Sequence, residues 1–145
     1  VLSNPEKANR VEMANQLPLL SISEIQSLKI EGWDIGLHSA THADLSLSNY
    51  PDIIKEIKVA KMTLEKKLKS EVKYFAYPKG AYSNEVVGVV KKCNFSLALT
   101  MDDNPIKEGS DPYTVSRIGI NSTHSNLEFP TLFTNWSQKI RKILK

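Results

Sequence analysis

His38 and His42 stand four residues apart in the run His38-Ser39-Ala40-Thr41-His42. Two imidazoles at that separation, on a turn or a first helical turn, can point at one ion. Neutral imidazole suits Zn, Co, Ni and Fe. A mononuclear hydrolytic site would add a third ligand and keep one position open to water. The bland alternative is two surface histidines that landed four apart. With 3 His in 145 residues, chance supplies roughly 0.06 such pairs, so the motif is uncommon without being unique.

A second run, Tyr77-Pro78-Lys79-Gly80-Ala81-Tyr82, reads as a tight turn flanked by aromatic residues. Pro78, Lys79 and Gly80 are candidate substrate-binding residues. A backbone N–H fixed there could face a developing oxyanion, and tyrosine rings could stack on a sugar. The plain alternative is a turn with two half-buried tyrosines. His124 follows a late strand-like segment, and as a lone histidine it reads as a surface residue before an acid catalyst. Asp102 and Asp103 end another strand-like segment and read first as loop caps. No residue emerges as a catalytic acid or base, so that assignment stays open. Gly-rich phosphate loops and the Gly-x-Ser-x-Gly elbow are absent from the sequence.

The elements that must position these residues alternate between helix and strand. Ser21 followed by Glu24 has capping-box spacing. The helix it opens should turn Ile25 and Leu28 inward and stop at Gly32. Trp33 to Leu37 reads as a short strand, and a polar turn covers His38 to Asn49. The clearest helix spans Pro51 to Lys69, with Ile53, Ile57, Ala60, Leu64 and Leu68 on one face and Lys and Glu on the other. Val72 to Tyr77 is a strand. Ser83 or Asn84 caps a helix carrying Val86, Val87 and Val90, and Phe95 to Thr100 is the next strand. A loop runs from Met101 to Pro112, then a strand from Val115 to Ile120. From Pro130 the apolar residues Leu132, Phe133, Trp136, Ile140 and Ile143 repeat at helical spacing.

Strands alternating with crossover helices predict an α/β fold, a parallel sheet with outer helices. In such folds ligands gather at the carboxyl ends of the strands. That rule puts His38 and His42 on the same rim as Pro78, Lys79 and Gly80.

Composition narrows the function classes. At 145 residues the chain is one domain's worth of sequence. Its 41% hydrophobic and 24% charged residues are ordinary for a globular protein. A net charge of +3 argues neither for nucleic acid nor for a membrane surface. The basic residues Lys139, Arg141, Lys142 and Lys145 read as the solvated face of a terminal helix. Cys93 is the only cysteine, which excludes an internal disulfide and a Cys-based metal site. No apolar run is long enough for a transmembrane segment. Localisation stays unknown.

In order along the chain, these pieces resemble a known family. Glu31 to Ser46, containing Gly32-Trp33-Asp34-Ile35-Gly36-Leu37-His38-Ser39-Ala40-Thr41-His42, is similar to the second motif of the polysaccharide deacetylases, carbohydrate esterase family four. Tyr74 to Tyr82 resembles the third motif in its Phe-Ala-Tyr-Pro variant, and Val115 to Ile120 resembles a late Arg-Ile strand. The resemblance implies a distorted (β/α) barrel and a metal-dependent hydrolase removing N- or O-acetyl groups from a polysaccharide. It implies that His38 and His42 are metal ligands beside an Asp, with Zn first and Co or Ni as alternatives. A neighbouring Asp would act as base, and a backbone N–H at Lys79 would meet the oxyanion. The partner implied is an acetylated polysaccharide or oligosaccharide.

Three departures from the family pattern shape the expectation. The Asp-Asp-Gly of the first motif has no counterpart in residues 1–37, where Asp34 is the only aspartate. The third motif has Ala76 at its Arg position and Lys79 at its aromatic position. The late acid histidine has only His124 as a candidate. Residues 1–145 are therefore expected to form a single deacetylase-like domain, incomplete at its N-terminus and prone to self-association through an uncovered sheet edge. Alone, it is expected to be inactive. The alternative is a non-catalytic carbohydrate-binding or scaffold domain on the same fold.

Overall fold

A computed structural model describes residues 19–120. The chain divides into two compact units at Asp34 and Ile35. In the first, helix α1 (Ile22–Ile30) begins at a full capping box. The Glu24 amide donates to Ser21 Oγ at 3.3 Å. The Ser21 amide donates back to Glu24 Oε2 at 2.7 Å. The helix ends where Glu31 caps it and Gly32 takes a φ of +95°, which glycine adopts without steric cost. Ile25 and Leu28, expected to face inward, are half-buried, and no residue of α1 is buried.

The second unit is built on parallel strands. Strand β1 (Tyr74–Ala76) pairs with β2 (Leu97–Leu99) in the register Tyr74 to Leu97, Phe75 to Ala98 and Ala76 to Leu99. Phe75 and Ala98, directly opposite, are both buried. Single residues extend the pair on each side in the same direction. Leu37 bridges to Phe75, and Val115 bridges to Leu99. The order Leu37, β1, β2, Val115 is the order of the chain, as in parallel segments joined by crossovers.

Both flanking strands are shorter than the sequence suggested. Leu37 donates to Tyr74 O at 2.8 Å and accepts from the Ala76 amide at 2.9 Å. The ladder stops there: upstream stand Asp34 and Gly36, poor strand formers, and Trp33 is exposed. Past Val115 the bonding changes partners. The Arg117 guanidinium donates through Nε to Thr100 O at 3.0 Å, and the Gly119 amide donates to Asp103 Oδ1 at 3.2 Å. Side chains thus occupy the groups that a continuing ladder would need.

One helical run follows the histidine loop in three pieces: α2 (Tyr50–Ile54), a π-helical turn (Lys55–Val59) and α3 (Ala60–Leu68). Asn49 caps its start by accepting from the Asp52 amide at 3.0 Å, and Lys69 ends it at a φ of +52°. Ile53, Ile57 and Leu68 are buried, with Ala60 and Leu64 half-buried, so the predicted stripe is real. The wider turn in the middle was not expected. Helix α4 (Asn84–Lys92) is capped by Ser83, whose Oγ accepts from the Val86 amide at 3.3 Å, and it buries Val86, Val87, Val89 and Val90. The core closes around Phe75, Tyr77 and Phe95, with the Phe75 ring 5.1 Å from Tyr77 and 5.4 Å from Phe95.

Lys61 departs from the solvated face predicted for it. Its side chain is buried, and its ammonium donates to Cys93 O at 2.7 Å. It lies 3.6 Å from Glu65 and 4.6 Å from the centre of the Phe95 ring. A buried ammonium is tolerated where carbonyl, carboxylate and ring all meet it. No described helix is long and apolar enough to cross a membrane. The helix expected from Pro130, and His124, lie outside the described residues.

Candidate metal centre

His38 comes directly after the Leu37 bridge, so the loop it opens lies at the carboxyl end of its strand. The imidazole is exposed, but one edge is fixed. Its Nδ1 lies 2.8 Å from Ala76 O, at the end of β1. A carbonyl oxygen only accepts, so Nδ1 is the donor, and the neutral tautomer this contact selects has its lone pair on Nε2. That is the orientation by a second partner that metal-bound histidines require. His42 returns to its neighbour at a ring separation of 4.9 Å, with the planes inclined by 73°.

A tight backbone brings the two rings together. Ser39 and His42 both have left-handed φ values, +59° and +62°. For residues with side chains this conformation costs energy and must be held from outside. Inside the loop, the His42 amide donates to Ser39 Oγ at 2.9 Å. Across the fold, Glu56 receives donors from Ala40 and Thr41. Its Oε2 accepts from the Ala40 and Thr41 amides, both at 2.9 Å, and its Oε1 accepts from the Thr41 hydroxyl at 2.8 Å. Burial acts to raise the Glu56 carboxyl, but the donors from Thr41, Ala40 and Ser39 outweigh it and hold it below the ordinary range.

The second candidate run, Pro78–Gly80, is a tight turn in which the Gly80 amide donates to Tyr77 O at 2.9 Å and the Ala81 amide to Pro78 O at 3.0 Å. Of the three candidate substrate-binding residues, Pro78 and Gly80 are buried and Lys79 is exposed. Lys79 has a φ of +56°. Gly80 is required by its surroundings: at a φ of +69°, an added Cβ would lie 2.7 Å from Met101 Cβ and 2.8 Å from Met101 N. The Lys79 ammonium reaches across to Asp44 Oδ2 at 3.8 Å, a loose pair between the two motifs. Asp44 is itself engaged by Ser46, whose hydroxyl donates to Oδ1 at 2.6 Å and draws the carboxyl below its ordinary range.

The tyrosines flanking this turn differ from the expected stacking pair. Tyr77 is fully buried, and its hydroxyl donates to Tyr113 O at 2.9 Å. Burial, with Asp111 and Tyr82 nearby, pushes its hydroxyl far above the ordinary tyrosine value. It is a core residue and offers no face to a sugar. Tyr82 is half-buried, its hydroxyl 3.3 Å from Asp102 Oδ2. Asp103 caps the loop at Gly119, as expected. Asp34 belongs to the first unit and is exposed.

The structure thus places His38 and His42 against each other with a lone pair on His38 Nε2, a donor set that fits an imidazole-binding ion. Among the described residues, no group of three or more His, Cys, Asp or Glu is placed to hold a metal. Glu56 escaped the sequence reading. It sits 15 residues from Thr41 in sequence, within the π-helical turn Lys55–Val59. Nothing local in the sequence signals that its partners lie in the histidine loop.

Known proteins share this sequence pattern and fold. The polysaccharide deacetylase family profile matches residues 9–98. Among curated proteins, the poly-beta-1,6-N-acetyl-D-glucosamine N-deacetylase of Staphylococcus aureus is 25% identical over 134 residues, covering 86% of this chain and 45% of its own length. The chain therefore spans about half the length of the curated relatives it matches. A Streptococcus pyogenes deacetylase, solved in complex with acetate, superposes with a TM-score of 0.71 at 22% identity, over 79% of this chain and 51% of that one. A putative polysaccharide deacetylase from Bacillus anthracis gives 0.69 at 28% identity, over 79% and 37%. A pseudoenzyme of the same family, also from Bacillus anthracis, gives 0.50 at 19% identity, over 53% and 27%. The α/β fold with parallel strands is that of the family's deacetylase domains, and the chain belongs to the polysaccharide deacetylase family.

Proposed function

We propose that residues 1–145 are part of a metal-dependent hydrolase that removes N- or O-acetyl groups from a polysaccharide. The observation that carries this reading is the histidine pair: two exposed imidazoles 4.9 Å apart, one with its Nδ1 fixed on Ala76 O. His38 and His42 would hold the ion, Zn first and Co or Ni as alternatives. When bound, such an ion polarises a carbonyl and lowers the pKa of water.

The chain's own residues do the rest. His38 and His42 set the ion's place at the rim. Pro78, Lys79 and Gly80 form the opposing turn, whose backbone is fixed by packing and faces the acetyl group. The carboxylates of the family's first motif have no counterpart in residues 1–37, so on this reading the base is not among them. Loss of a general base typically costs 10²–10⁴-fold in rate, or about 3–5 kcal/mol of barrier. The 145-residue chain should therefore turn over acetylated glycan poorly. The reading also takes the sequence as a single domain, part of a distorted (β/α) barrel, that self-associates through its short sheet edges.

A second reading, a non-catalytic carbohydrate-binding or scaffold domain, is favoured by one observation: the described residues supply no third ligand. One experiment separates the two. Zn and Co titrations are carried out with the 145-residue chain and with His38→Ala and His42→Ala. Acetate release from an acetylated β-linked aminosugar polymer is then measured for a longer protein containing these residues. Metal binding lost in both variants, with turnover in the longer protein, supports the hydrolase. Tight binding that survives both substitutions together overturns it.

A further inference from the structure

We infer that Glu56 is a positioning residue that holds the His38–His42 loop in its ligand geometry. The inference rests on the metal reading above. Two residues of this short loop, Ser39 and His42, sit at left-handed φ values. An isolated peptide would relax from such a conformation. The amides of Ala40 and Thr41, between the two ligands, both point at one carboxylate oxygen, and the Thr41 hydroxyl takes the other. A carboxylate accepting amide donors makes stronger, shorter bonds than a neutral acceptor.

No other group in the loop fills this role. Ser39 Oγ accepts from the His42 amide and Ala76 O takes the His38 ring, each fixing one histidine. Glu56 fixes the segment between them. It does so from within Lys55–Val59, the one π-helical segment among the described elements. Ile53 and Ile57 stay buried on the core side while Glu56 reaches the loop. Glu56 touches neither imidazole in the contacts described. Its effect on an ion passes through the backbone it holds.

The test uses the 145-residue chain, wild type and with Glu56→Ala, Glu56→Gln and Asp111→Ala. Asp111→Ala removes a carboxylate that caps a different loop, at Tyr113. Hydrogen exchange without metal reads the clamp directly, at the Ala40 and Thr41 amides. Cobalt(II) alone, titrated by visible absorption, reads its consequence. Glu56→Ala should abolish protection of both amides and weaken Co(II) binding about 10–100-fold, as loss of a supporting partner does. Glu56→Gln keeps one carbonyl acceptor and should recover part of both. Asp111→Ala should move neither. Unchanged protection and affinity in Glu56→Ala would overturn the inference while leaving the metal reading standing. A wild-type chain that binds no Co(II), or binds it equally after His38→Ala and His42→Ala, overturns the metal reading and this inference with it.

Discussion

Two glutamates nine residues apart on the same helical run do similar chemistry to different ends. Glu65 accepts from the Val72 amide at 2.9 Å and pairs with the buried Lys61 at 3.6 Å. Around it lie Phe95 and the buried Leu68 and Val72. Glu56 also accepts from backbone amides, but its donors belong to an exposed loop with no apolar cover. The corner at Glu65 adds polar bonds to a place that burial already holds. The clamp at Glu56 holds an exposed stretch, Ala40 and Thr41, that burial does not hold. Polar bonds in the first setting are felt by the whole fold, because their loss strands buried groups. In the second they are felt locally, because water can replace what is lost.

The difference can be broken first at Lys61. Lys61→Ala removes the ammonium from Cys93 O, leaves Glu65 without its partner and opens space beside Phe95. Urea unfolding should show a loss of about 3 kcal/mol. A loss under about 1 kcal/mol would mean the corner is no more cooperative than the loop. Next comes Thr41→Val, which deletes one hydroxyl donor to Glu56. It should lower global stability by no more than about 0.5 kcal/mol while speeding amide exchange at Ala40 and Thr41. A global loss as large as that of Lys61→Ala would erase the distinction.

Acid sharpens the comparison with the smallest effect. The Glu56 carboxyl is held below its ordinary range in the folded chain, so the unfolded chain binds more protons there. The stabilisation is present above the ordinary carboxylate range and is lost as the pH falls through the depressed value. Asp111, lowered mainly by the Tyr113 amide, has the same sign. Exchange at Ala40 and Thr41, corrected for its intrinsic pH dependence, should show protection declining below about pH 4. Protection that rises on acidification would reverse the sign and remove Glu56 as its source.

Much of this was legible before the structure. The capping box at Ser21 and Glu24, the stripe through Ile53, Ile57 and Leu68, and the valines of α4 are local patterns, and local patterns are written in spacing. The histidine pair and the Pro78–Gly80 turn were legible for the same reason, as was their place at strand ends. The features that escaped were set by distant partners. Trp33 to Leu37 has strand-like residues, yet only Leu37 finds a ladder partner. Val115 to Ile120 loses its ladder to Arg117 and Asp103, whose bonds join residues 17 and 16 apart in sequence. Tyr77 and Tyr82 flank one turn alike in sequence, but the first is core and the second borders the surface. Lys61 and Glu56 both appear as ordinary charged residues on a helix, and only tertiary packing tells Lys61 from Lys66.

The order of the parallel segments also bears on how the chain assembles. Val115 meets Leu99 across 16 residues, β2 meets β1 across 23, and Leu37 meets Phe75 across 38. Closing a longer loop costs more chain entropy, about 0.6 kcal/mol for each doubling. The smallest closures lie toward the C-terminal side, and the largest brings in Leu37 with His38 behind it. On that gradient the histidine loop is the last part of the sheet to arrive during folding and the first to leave during partial opening. The segment that would grip an ion is then also the segment whose docking an ion would most stabilise, since a ligand favours the state that binds it.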